Sequence, residues 1–171
     1  TRQRLEDGYL PIATTRWQGQ GWALDSTAFA EAEGDTPRLL GRWQIRNESD
    51  QPRTFTLTLA VRPFQVNPPA QFLAQRGGVS PIAALRWNGS HLLIRQPGPV
   101  DGDPPVDRLL TPMITPQSVG MGGFDQGALA TPETLPLATA VEDDAHMAQV
   151  RMSWTIRLAP GGHFDVPVAF A

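Results

Sequence analysis

The sequence contains no cysteine, which removes disulfides and thiolate metal sites from consideration. The compartment stays open, since exported proteins also do without cysteine; a periplasmic or secreted setting is compatible with the chain. Lysine is absent too, and all 14 basic residues are arginine. We read this chiefly as coding bias in a GC-rich genome, with a choice of Arg for bidentate ligand contacts as the alternative. Basic residues are not in excess: 17 acidic residues leave a net charge of -3. That balance argues against nucleic acid as a partner, because phosphate binding needs a basic face. Long apolar runs are also missing. None approaches the ~20 residues that span a bilayer, so no membrane partner is expected, and no signal peptide is visible.

What is present points to strands. The chain has 171 residues with 17 prolines and 16 glycines. That combination suits many short strands joined by turns. The 40% of hydrophobic residues argues against disorder. Residues 9–17 and 22–32 read as strands. Residues 38–47 alternate well, with Leu40, Arg42, Gln44 and Arg46 opposite Leu39, Trp43 and Ile45. Residues 55–61 alternate without error. The polar stretch 48–52 between those two runs predicts an antiparallel hairpin. Residues 85–94 form another, with Asn88-Gly89 suited to a type I′ turn. Residues 96–107 read as a long loop, and 116–136 as an irregular Gly/Pro-rich segment. Residues 146–158 alternate again, and 163–170 form a last strand in which Pro167 suggests a sheet edge. The one helix candidate, 129–140, is broken by Pro132 and Pro136. The expected fold is all-β: an antiparallel two-sheet β-sandwich, supersandwich-like, with long Gly/Pro-rich loops. We expect residues 1–171 to form a single sandwich domain. The polar opening TRQRLEDG and the strand-like ending DVPVAFA suggest a segment of a longer multidomain protein.

No catalytic constellation stands out. His91, His146 and His163 lack metal-ligand spacing and sit beside turns or strand ends, so they read as exposed structural histidines and no metal or cofactor is expected. Ser90 and His91 are adjacent and point to opposite faces of a strand. Gly120-Met121-Gly122-Gly123 lacks the lysine and the strand-to-helix context of a phosphate cradle. Glu142-Asp143-Asp144, Glu31 and Glu33 are available as paired carboxylates, but the triple run reads better as a solvated turn. Trp43 and Trp154 alternate in phase with aliphatic residues and read as core. Trp17 and Trp22 flank a turn, and Trp87 adjoins another. These three are the candidates for stacking on a sugar.

One stretch breaks its own pattern. The strand ending at Val61 runs into Arg62-Pro63-Phe64-Gln65-Val66-Asn67-Pro68-Pro69, followed by Gln71-Phe72-Leu73 and Gly77-Gly78-Val79-Ser80-Pro81-Ile82. This block, with Gly123-Phe124-Asp125-Gln126-Gly127 and Leu158-Ala159-Pro160-Gly161-Gly162, resembles the β-sandwich region of large bacterial multidomain proteins. Those proteins carry a six-hairpin (α/α) glycosidase-like domain and are sometimes labelled discoidin or coagulation factor 5/8 type. The resemblance spans nearly the whole chain. It implies a non-catalytic accessory domain whose partner is the adjacent (α/α) six-hairpin domain of the same chain, where the catalytic carboxylates would lie. Proline cannot donate to the ladder, so the chain leaves the sheet at Pro63 or runs on as an edge. Arg62, Phe64, Gln65 and Asn67 then sit on a stiff loop with little entropy to lose on docking. Residues 62–82 are therefore expected to be either a docking or cleft-rim loop or a crossover between sheets. The alternative function is an autonomous carbohydrate-binding module that takes an oligo- or polysaccharide through its exposed tryptophans.

Overall fold

The computed structural model describes residues 1–33, 36–64, 80–98, 102–126 and 132–171. Among them run twelve strands: β1 (Arg2–Glu6), β2 (Leu10–Gly19), β3 (Trp22–Glu33), β4 (Thr36–Asn47), β5 (Arg53–Val61), β6 (Ala84–Trp87), β7 (Leu92–Gln96), β8 (Val106–Pro112), β9 (Ser118–Gly122), β10 (Ala140–Glu142), β11 (Gln149–Leu158) and β12 (His163–Phe170). They form two antiparallel sheets, one ordered β1-β2-β3-β4-β12-β8-β7-β6-β10 and the other β5-β11-β9. The fold is an all-β, two-sheet β-sandwich. Its residues group into two compact units, one of Thr1–Leu57, Leu110–Thr115 and Trp154–Ala171, the other of Thr58–Leu109 and Pro116–Ser153.

In the first unit, β1 through β4 and then β12 pair side by side, with a register shift between Leu5 and Glu6 of β1. Partners in register share a face, so the alternation of each strand adds up across the sheet. One face carries the row Trp17, Leu24, Ile45 and Phe164. The other carries Arg2, Arg16, Asp25, Gln44 and Asp165. Ile45, Val166, Val168 and Leu110 are buried here, as are Leu57, Trp154 and Leu158. The Trp154 indole N–H donates to the carbonyls of Ile114 and Thr115 at 3.1 and 3.2 Å, which satisfies the one polar atom of this buried ring.

The hairpin expected from 38–47 and 55–61 does not form. β4 belongs to the larger sheet and β5 to the smaller, so the chain crosses between sheets at 48–52. It crosses again at 159–162, between β11 and β12. Asn47, fully buried, ties the two crossings together. Its side-chain amide donates to the carbonyls of Gln51, Leu158 and Ala159. Its side-chain oxygen accepts from the Ser49 amide and hydroxyl. Its own backbone pairs with Gly161 and Gly162 at 2.9 Å each.

Other expectations shift as well. Pro167 lies in an interior strand, between β4 and β8. It is accommodated because the β8 register covers only Val168 to Phe170 and stops beside it. The helix candidate over 129–140 is absent from its described part, which holds a 3-10 turn (Pro132–Thr134) and the start of β10. The segment 116–136 contains a strand, β9. Asn88 and Gly89 do not form a type I′ turn. Gly89 has positive φ and Asn88 does not, and the Asn88 side chain instead accepts from the amides of Ser90 and His91.

In the second unit the core is built from Ile82, Leu85, Leu92, Ile94, Met121, Leu135, Val150 and Met152. Fully burying each such side chain is worth about 1.5–3 kcal/mol. β6 and β7 form the expected hairpin, with Trp87 opposite Leu92.

Candidate functional site

The three candidate tryptophans do not share one place. Trp17 and Trp22 lie on the same face of the first unit, on neighbouring strands. Trp17 is 40% exposed. Trp22 is half-buried, its ring lying across Gly19, where a Cβ would collide with the indole. Trp43 was expected in the core but is half-buried, laid over Gly41 on the same face. Glycine at these two positions leaves the room that the indoles of Trp22 and Trp43 take up against the sheet.

That face is not uniformly covered. Around Ile45 of β4 and Val166 of β12 it is closed, with 6% and 1% exposure. It opens toward β1, where Leu5, in register with Ala13, is 44% exposed, and at the start of β4, where Leu39 is 47% exposed. The same apolar row thus passes from core to surface within one sheet.

Trp87 belongs to the second unit, half-buried beside a groove of about 510 Å³ that Gln117, Ser118, Leu137 and Thr139 also line. Leu137 is one of the most exposed apolar side chains there. The groove runs along β9, an edge strand of the smaller sheet.

Of the proposed docking loop, Gln65 and Asn67 lie outside the described residues. Arg62 and Phe64 are described. The Arg62 guanidinium sits 5.0 Å from the Phe64 ring centroid, within cation–π range. Pro63 is buried, and its carbonyl accepts from the Ser80 amide at 2.9 Å, so the two ends of the 65–79 segment are fastened to each other. Ile82 is buried, and its amide donates to the His146 carbonyl.

Two of the carboxylates considered for acid–base work, Glu31 and Asp143, are engaged in holding the fold. Glu31 accepts from Arg38 at 2.6 Å across the β3–β4 pair. Asp143 accepts from the amides of Phe124 and Met147 at 3.2 and 2.8 Å. His91, His146 and His163 are all exposed, and among the described residues no group of three His, Cys, Asp or Glu is placed to hold a metal ion.

A further groove, of about 490 Å³, opens on the polar face of the first unit, lined by Arg2, Arg4, Thr14, Arg16, Gln18 and Asp25 among others. Arg2 and Arg4 were not expected to belong to a strand, because residues 1–8 look like a polar lead-in. The signal was there: Asp7-Gly8 separates two alternating runs. Both residues take positive φ, 50° and 78°, closing the β1–β2 hairpin.

No protein-family model matches the chain, and no curated protein matches it.

Proposed function

We propose that this chain is a non-catalytic accessory β-sandwich domain of a carbohydrate-active protein, seated against a neighbouring helical six-hairpin domain of the same polypeptide. The observation that carries the reading is the apolar face that leaves the core uncovered. Trp17, Leu39 and Leu5 continue the buried row of Ile45 and Val166 out to the surface. Exposed apolar side chains gathered on one sheet face are a cost in a free monomer and a usual mark of an interaction surface. The resemblance of the 62–82 block supplies the identity of the covering domain. The engagement of Glu31 and Asp143 in structural bonds fits a domain that leaves the chemistry to its neighbour.

Side-chain footprinting tests this. In the full-length protein, Trp17 and Leu39 should react with hydroxyl radicals several-fold more slowly than in this chain alone. Equal rates in both would overturn the reading, because nothing would then cover the face.

The groove beside Trp87 favours a second reading, an autonomous carbohydrate-binding module. An aromatic ring with Ser118, Thr139 and Gln117 around it offers a stacking platform and hydroxyl-directed hydrogen bonds. Saturable glycan binding by the chain alone, abolished in Trp87→Ala, would select this reading over the first.

A further inference from the structure

The polar face of β1, β2 and β3 carries a charge arrangement that strand pairing leaves unbalanced. Register sets Arg2 directly opposite Arg16, and Arg16 directly opposite Asp25. Like charges facing one another across an antiparallel pair are destabilising. Arg16 is neutralised: one terminal nitrogen donates to Asp25 at 3.1 Å and the other to Glu48. The side chains of Arg2 and Arg4 make no hydrogen bond or ion pair among the described residues. Both are exposed on β1. Two positions apart on one strand, they project to the same side, roughly 7 Å from each other. The groove of about 490 Å³ lies beneath them, a volume in the range of small-ligand sites. Thr14 stands in its wall, buried and hydrogen-bonded to Thr27 at 2.9 Å.

The mixture of groups narrows the ligand. The guanidinium forks of Arg2 and Arg4 fit a carboxylate bidentately. Asp25 is an acceptor with lone pairs beyond those Arg16 occupies. Sulfate gives Asp25 no donor and is repelled by it, and hydrogen phosphate carries a hydroxyl but is repelled by the carboxylate in the same way. A polyphosphate chain is further disfavoured by the net charge of -3. A sugar acid brings both parts: a carboxylate for the arginines and hydroxyl donors for Asp25 and Gln18. We propose that this groove binds an acidic oligosaccharide, with Arg2 and Arg4 holding uronate carboxylates and Asp25 and Gln18 taking ring hydroxyls. This site goes beyond the accessory-domain reading and does not rest on it. Charged side chains also protect an exposed edge strand from pairing with another chain. A purely protective role for Arg2 and Arg4 predicts no ligand at all.

Calorimetric titration of the chain with trigalacturonate decides the matter. Saturable binding is expected, weakening with salt. The neutral methyl ester of the same trisaccharide, and the Arg2→Ala/Arg4→Ala double variant, should each bind about tenfold or more weakly. Arg4→Lys, which keeps the charge and loses the fork, should fall between. Unchanged near-ultraviolet circular dichroism will show that each variant is folded; β1 is an exposed edge strand, so little else depends on these side chains. No saturable binding of trigalacturonate, equal binding of its ester, or an unaffected double variant would each overturn the proposal. Competition by inorganic phosphate at equal concentration would overturn the sugar-acid assignment.

Discussion

Among the described residues two side-chain amides are fully buried, and they call for opposite substitutions. Asn47 uses every polar atom it has, bonding carbonyls of Gln51, Leu158 and Ala159. Asn47→Ala leaves the buried Leu158 carbonyl without this donor, while those of Gln51 and Ala159 keep the Ser49 hydroxyl and the Gly162 amide, and stability to urea should fall by about 2 kcal/mol. Gln51→Ala should change little, since only the backbone of Gln51 is used. Gln149 is equally buried, yet neither its nitrogen nor its oxygen has a partner among the described residues. Gln149→Met keeps the shape and removes two unsatisfied atoms, so the same urea titration should show a gain of about 1 kcal/mol. Neither amide was singled out in the sequence, because burial and bonding of a polar residue depend on what crosses it. A third residue-scale effect is acid dependence. The paired hydrogen bonds from Arg95, 2.8 Å each, hold the Asp107 carboxyl below the ordinary aspartate range, opposed by a smaller desolvation effect. A depressed folded-state pKa contributes stability that is present at neutral pH and lost as pH falls through the folded value. Urea midpoints of the protein and of Asp107→Asn should therefore differ slightly at pH 7 and converge below about pH 4. High salt should shrink the difference, since the pair is solvent-exposed.

At the scale of elements, β9 shows why glycine-rich sequence can hide a strand. Ser118-Val119-Gly120-Met121-Gly122 has poor strand propensity. It is a strand because β11 pairs with it and because its glycines admit a close neighbour. A Cβ at Gly120 would sit 2.8 Å from the Leu135 carbonyl oxygen and 3.0 Å from that of Pro136. Backbone cannot swing away as a side-chain end can, so Gly120→Ala should cost roughly 2–3 kcal/mol and loosen amide exchange protection in β9 and β11. The β1–β2 hairpin was missed for a different reason. Its Asp7-Gly8 turn is a readable signal, but β1 has no buried side chain, and hydrophobic alternation was the pattern sought. Arg2 and Arg4 went unnoticed with it. The hairpin at 84–96 was legible because its apolar residues are buried on both strands.

At the scale of the whole molecule, the uncovered apolar face has a consequence for the chain on its own. Sedimentation should show self-association that rises with concentration, and Trp17→Ser with Leu39→Ser should reduce it at a modest cost in stability, since each side chain is only about half covered. A strictly monomeric parent chain would count against the open face as an interaction surface. The all-β class, the antiparallel pairing and the assignment of Arg42, Gln44 and Arg46 to one face and Trp43 and Ile45 to the other were all set by the sequence alone. Period-two alternation and turn residues are local properties, and they survive any larger arrangement. Which strands share a sheet was decided only in the tertiary structure. The link 48–52 looks like a hairpin turn, and an alternating strand reads the same whether its successor pairs beside it or crosses to the other sheet. Asn47 makes it a crossing by joining residues 111 and 112 positions apart. The arginine groove has the same origin: Arg2, Arg16 and Asp25 meet because three strands fall into register, and register across separate strands is not written in any one of them.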